Sequence, residues 1–167
     1  MLDQIKGGLF GLAIGDALGA MTEKEIGDKY GVVTEMRGGG YWGVAPGETT
    51  DDTAMTLAVA RGIMGNVAEP IEEIGRHFLL WENTEPKDMG VTVSKTFRNF
   101  AGDWFQAAEQ THFDLRGKSA GNGSLMRCLP IAIAYSDEKR IGELSIQQSK
   151  MTHFDDRRRR PVSFTIG

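Results

Sequence analysis

The sequence predicts an all-α fold, on three observations. Apolar residues recur at helical spacing in every long segment, strand-type alternation is absent, and glycine, proline and short polar residues punctuate the breaks between segments. Ile5, Leu9, Leu12, Ala13 and Ala17 form the first stripe, with Asp16 on or beside it, and an acid placed there needs partners. From Gly27 to Gly47 the composition turns to glycine, with Gly38-Gly39-Gly40 followed by Tyr41-Trp42-Gly43, which reads as a long ordered loop. Met55, Leu57, Val59, Ala60 and Ile63 then place a helix over 52–65. Further helices are predicted over 70–82, 90–101, 103–110, 124–136 with Pro130 bending it, and 138–151. After Asp156 the periodicity ends in four arginines, Arg157 to Arg160, and an unpatterned stretch to Gly167. Residues 1–156 therefore read as one domain and 157–167 as a basic tail, either a solvated tail or an altered or truncated end.

Composition narrows the function classes. A chain of 167 residues, 40% hydrophobic and 25% charged, has the makeup of one globular domain with a substantial core. A formal net charge of -4 excludes a general nucleic-acid binder, which needs a basic surface against phosphates. One cysteine, Cys128, permits no internal disulfide and suits a reducing compartment; flanked by Arg127 and Leu129, it reads as a small hydrophobe rather than a nucleophile. No apolar run is long enough to span a bilayer, and residues 1–20 lack the order of a signal peptide, so the expected location is cytoplasmic and not membrane-bound.

Five polar clusters carry the candidate chemistry. Thr50-Asp51-Asp52 stands where the glycine-rich loop becomes a helix. One acid there would cap the helix, but two consecutive side chains diverge by about 100° and cannot cap the same N–H groups. Together with Thr50 they offer oxygen ligands to a hard cation. Asp16, between Gly15 and Ala17, is followed by Glu23, adding acids that need solvent or a cation. Asp88, in Lys87-Asp88-Met89-Gly90, sits where a helix cap belongs. In Gly121-Asn122-Gly123-Ser124, the glycines flank an asparagine ahead of a predicted helix, a pattern that suits either an ordinary turn or a cradle of backbone N–H groups for phosphate. Arg127 would add a charge-assisted contact to the cradle. His153, after Thr152, is a structural histidine or a ligand contact.

In this order the clusters resemble the ADP-ribosylglycohydrolase family, which includes hydrolases that remove ADP-ribose from arginine, for example on dinitrogenase reductase. The blocks that carry the likeness are Gly11 to Gly19 with Glu23, Thr50-Asp51-Asp52-Thr53, Asp88-Met89-Gly90, Gly121 to Arg127, and Thr152-His153. The resemblance implies an orthogonal all-α helical bundle with a binuclear Mg²⁺ or Mn²⁺ centre beneath an ADP-ribose cleft. It makes Thr50, Asp51 and Asp52 metal ligands, with Asp51 and Glu23 among the catalytic acids and Asp88 the general acid/base. Gly121, Asn122, Gly123, Ser124, Arg127 and His153 become contacts to ADP-ribose, free or on a modified protein. Family chains usually continue to a second Asp-x-Asp-Thr motif, which does not occur after His153 here. The bundle is thus expected to be incomplete at its C-terminal end, with exposed apolar faces prone to self-association. A silent ADP-ribose-binding or structural remnant stays open beside the hydrolase, because the fold also occurs in certain crystallins.

Overall fold

A computed structural model describes residues 2–26 and 31–155. The basic tail and four residues of the glycine-rich loop, 27–30, lie outside them. Among the described residues there are seven helices: α1 (Leu2–Gly19), α2 (Asp51–Gly65), α3 (Ile71–Glu82), α4 (Val91–Asn99), α5 (Trp104–Asp114), α6 (Leu129–Ala134) and α7 (Glu138–Lys150). The β-type pairing they contain is one isolated antiparallel bridge between Gly39 and Val44. None of the described helices is long and apolar enough to cross a membrane.

The core lies between α2 and the helices packed around it. Met55, Val59 and Ile63 of α2 meet Ile74 and Phe78 of α3, Val93 and Phe97 of α4, Ile131 of α6 and Leu144 of α7. The crossing of α2 over α3 requires Gly62, where a Cβ would come within 2.5 Å of the Ile74 side chain and 2.6 Å of its backbone nitrogen. Trp104, at the start of α5, closes one end. Its ring stacks on Phe100 at 4.2 Å and meets Phe78 and Phe97 edge-on at 6.0 and 5.1 Å, geometries that favour the aromatic quadrupole.

The first helix is covered much less. It buries only Asp16 and Ala17, and leaves Leu2, Phe10 and Ile14 exposed. The predicted 124–136 helix is a correction: residues 124–127 form turns and α6 starts only at Leu129, with Pro130 in its first turn. The proline ring would clash with the carbonyl of Met126 if the helix ran through it, and its missing N–H costs nothing at a helix start. Pro130 begins a helix instead of bending one.

The glycine-rich loop is ordered by its own backbone. Gly38, Gly39, Gly40, Gly43 and Gly47 all have positive φ. At Gly38 a Cβ would lie 2.5 Å from the Val44 carbonyl oxygen, and at Gly40 it would collide with the Met21 backbone, so the turn that lays Val44 beside the start of α2 and Trp42 against Glu23 admits no side chain at either position.

Candidate active site

The start of α2 is capped from another helix. Thr50, the N-cap residue, makes no side-chain capping bond. The Asp16 carboxylate, delivered by α1, accepts from the Thr50 and Thr53 backbone N–H groups at 2.9 and 3.0 Å and from their hydroxyls at 2.6 and 2.5 Å. This buried acid neutralises the orphan donors of the first turn and complements its dipole. Asp51 and Asp52 are thereby released from capping, the role that would have explained them most simply.

Both remain half-buried and crowded by negative charge. Burial pushes the Asp51 carboxyl up, aided by Asp16 and Glu23 and opposed by the Gly90 N–H, which donates to it at 3.3 Å. Asp52 is pushed up to about 6, by burial first and then by the charges of Asp51, Asp16 and Glu23.

Asp88 completes the acidic group. It precedes α4 but does not cap it; the cap is Gly90, without a side-chain bond. The Asp88 carboxyl is buried and raised to about 7, by desolvation first and then by Asp51 and Glu23. Glu23 moves the other way. Burial would raise it, but hydrogen bonds from Lys24 at 2.6 Å, Trp42 Nε1 at 2.5 Å and Asp88 more than offset this. Burial and the charges of Asp51 and Glu23 thus favour the protonated form of Asp88, which hydrogen-bonds to Glu23. A recess of about 130 Å³ opens at this point, lined by Val44, Thr49, Thr50, Asp51, Trp81 and Asp88, with Lys87 paired to Glu48 at 2.8 Å on its rim.

The second cluster adjoins the first through the N-terminal turn of α4. Gly90 reaches Asp51, while Thr92 and Val93 lie under Gly121 and Gly123. The structure places the expected ADP-ribose contacts unequally. Asn122 is exposed and Gly121 half-exposed. Ser124 turns inward, its hydroxyl accepting from Ser149 and its carbonyl from Gln148. His153 is 1% exposed, with its ring edge 3.0–3.4 Å from where a Cβ on Gly121 or Gly123 would stand. Arg127 departs furthest from the phosphate contact its charge suggested. It is fully buried, donates to Gln148 and Thr152, and lies 4.5 Å over the Phe78 ring. Its guanidinium is lowered to about 9, by desolvation before anything else.

A hard dication suits the donor types at the start of α2. Thr50, Asp51 and Asp52 offer oxygen only, and a cation would offset both the burial and the neighbouring charges that raise the two carboxyls. The shell is partial: among the described residues, no three or more His, Cys, Asp or Glu side chains gather as one metal-holding group. Sequence reasoning also missed Trp42 as the residue that holds Glu23, and the anchoring of the Gly121–Ser124 loop by Gln148 and Ser149 of α7. No local pattern marks these residues, because each acts across a long sequence separation.

The family model described as ADP-ribosylglycohydrolase matches residues 1–160. The ADP-ribosyl-[dinitrogen reductase] glycohydrolase of Rhodospirillum rubrum is 39% identical over 136 residues, covering 79% of this chain and 45% of that protein. ADP-ribosylarginine hydrolase Tri1 of Pseudomonas putida (strain GB-1) is 32% identical over 160 residues, covering 93% of this chain and 43% of that protein. A solved structure titled ADP-ribosylglycohydrolase-related protein complex superposes with a TM-score of 0.73 at 29% identity, over 90% of this chain and 49% of that one. The chain thus spans less than half the length of the curated relatives it matches, and it belongs to the ADP-ribosylglycohydrolase family, whose model covers residues 1–160.

Proposed function

We propose that this chain carries part of the active site of a metal-dependent hydrolase that cleaves the glycosidic bond of ADP-ribosyl groups, on a modified protein or on a free ADP-ribose derivative. The observation that carries the reading is Asp88, a buried carboxyl raised to about 7 and hydrogen-bonded to Glu23 on the recess that Asp51 also lines. A group titrating near neutral pH is fitted to give and take protons, whereas an ordinary surface carboxylate is not.

In this reading Thr50, Asp51 and Asp52 supply part of the shell for Mg²⁺ or Mn²⁺. When bound, such an ion supplies Lewis acidity toward ribose oxygens and toward water. Asp88 holds the proton that the leaving group needs, and Glu23, fixed by Trp42 and Lys24, keeps that proton on the recess side. An N-glycosidic bond breaks through an oxocarbenium-like state, so the dense carboxylate field of Asp51, Asp52 and Glu23 also favours the developing positive charge. The Gly121 N–H is taken by the Ser119 carbonyl at 3.0 Å, so the backbone N–H groups of Asn122 and Gly123 are the ones assigned to the diphosphate. Asn122 is the residue of that loop exposed at the surface.

A second reading, ADP-ribose binding without turnover, is favoured by one feature: the described carboxylates form no three-ligand metal group. Release of ADP-ribose from ADP-ribosylated arginine at millimolar Mn²⁺, with the 167-residue chain compared with a version extended by a family C-terminal half, separates the two. Turnover that requires Mn²⁺ and falls in Asp88→Asn supports hydrolysis. Tight ADP-ribose binding with no turnover in either form supports the second reading.

A further inference from the structure

The buried polar groups between α2 and α7 form one connected chain that begins at Arg127. Its Nε donates to Gln148 Oε1 at 2.8 Å, and its Nη2 donates to the Gln148 carbonyl at 2.9 Å and to Thr152 Oγ1 at 2.8 Å. Nη1 points at Met55 Sδ, 3.5 Å away. The Gln148 amide is fixed in consequence. Its oxygen accepts from arginine, so its nitrogen donates to the Ser124 carbonyl at 2.9 Å. Ser149 adds a hydroxyl bond to Ser124 at 2.8 Å. Arg127 therefore ties the far end of the Gly121–Ser124 loop to the last turn of α7.

The consequence for His153 follows from counting donors. A guanidinium has five N–H groups and no acceptor, so Thr152 Oγ1 accepts from it and cannot donate to it. Thr152 is fully buried, so its hydroxyl proton needs an acceptor within the protein. The acceptor within reach is His153 Nδ1, at 2.8 Å. Nδ1 is then the bare nitrogen and Nε2 carries the proton. That edge of the ring faces the glycine pair: Nε2 lies 3.2 Å from the Cβ position of Gly121 and 3.4 Å from that of Gly123.

We propose that Arg127 and Thr152 are positioning residues that lock His153 as its Nε2–H tautomer, with the N–H dipole directed at the Gly121–Gly123 loop. The positive end of that dipole lies against the glycine pair and adds to the attraction of the loop for an anion on its exposed side, where Asn122 stands. Arg127 thus serves the loop from the interior, through a relay of two hydrogen bonds. Its service to a diphosphate rests on the functional reading above; the tautomer does not.

The test uses the full 167-residue chain labelled with ¹⁵N-histidine, in long-range proton–nitrogen spectra near neutral pH. The His153 ring is assigned by its disappearance in His153→Gln. The expected spectrum has a bare Nδ1 and a protonated Nε2. Thr152→Ser, which keeps the hydroxyl, should retain it. Thr152→Val is nearly isosteric but lacks the relay, and should populate the Nδ1–H tautomer or the charged ring. Arg127→Met should do the same; if it fails to fold, the two Thr152 variants decide. A protonated Nδ1 in the unaltered chain, or a Thr152→Val spectrum identical to it, overturns the proposal. Calorimetry with ADP-ribose separates the two inferences. A loss of about fivefold in Thr152→Val, the weight of one ordinary hydrogen bond, with near-normal binding in Thr152→Ser, supports the relay acting on the ligand loop. No binding to the unaltered chain, together with the expected tautomer, overturns the ligand assignment alone.

Discussion

Replacing Asp16 by alanine removes one side chain from α1 and should destabilise the start of α2. Four donors lose their acceptor: the backbone N–H and the hydroxyl of Thr50, and the same two groups of Thr53. The hydroxyls can rotate to other acceptors, but the two N–H groups belong to a helix start and have no intrahelical partner. Hydrogen bonds to a charged group contribute about 1.5–3 kcal/mol each, and losing an N-cap costs about 0.5–2 kcal/mol, so two such bonds together place the expected loss near 3 kcal/mol. Unfolding entropy of about 2.1 cal/mol/K per residue gives roughly 0.35 kcal/mol/K for 167 residues, so Tm should fall by about 8 °C. One effect opposes this. Asp16 is among the charges that raise Asp51 and Asp52, and its removal should bring both carboxyls down. Asp16→Asn, which keeps an acceptor oxygen and the shape, should lose about half as much. Thermal unfolding followed by circular dichroism reads the first effect, and carboxyl titration by NMR the second. A Tm within about 2 °C of the unaltered chain in Asp16→Ala would refute the inter-helix cap.

Stability should fall as pH rises through the window set by Asp52 and Asp88. Their folded values of about 6 and about 7 exceed the unfolded 3.8, so the folded chain binds more protons, and their contribution is complete below 3.8 and lost as pH climbs through 6 and 7. Glu23, shifted down, acts oppositely, its contribution being lost only as pH falls through its lowered value. Urea midpoints should therefore drop between about pH 4 and about pH 7, and Asp88→Asn should flatten the profile; an unchanged slope would count against the assignment. Mg²⁺ or Mn²⁺ should bind at Thr50, Asp51 and Asp52, with Asp51→Ala and Asp52→Ala each weakening it in calorimetry; equal affinity in all three proteins would exclude this site. Gly123→Val should weaken ADP-ribose more than it weakens metal. The obstacle is now internal: a Cβ there meets His153 Cε1 at 3.0 Å and Val93 at 3.2 Å, so the cost should be about 1–3 kcal/mol of stability even without ligand, readable by urea unfolding. The exposed Leu2, Phe10 and Ile14 of α1, with Leu57 and Met64 of α2, should drive self-association that sedimentation velocity detects as a rise in mass with concentration.

Helical periodicity made most of this fold legible before any coordinates. Helices α2, α3, α4 and α7 fall within a residue or two of their predicted spans, because each has an apolar stripe that must face a core, and that stripe is written locally. The order of the acidic, glycine and Thr-His blocks likewise pointed to the family. Proline chemistry is local too, yet the 124–136 helix was misread, since a proline that kinks a helix and one that starts it look alike until the preceding turn is seen. The roles of the site residues depended on tertiary structure. Whether Asp51 and Asp52 cap their own helix turns on Asp16, which stands 34 residues before Thr50 in the chain and meets it only when α1 docks on α2. The same holds for Arg127. Its charge and its place after a glycine loop suggest phosphate, but it is drawn inward by Gln148 and Thr152, more than twenty residues later. Charge and spacing are properties of the chain, whereas desolvation and hydrogen-bond partners are properties of the packed molecule, and it is these that decide whether a polar side chain meets a ligand or supports the residues that do.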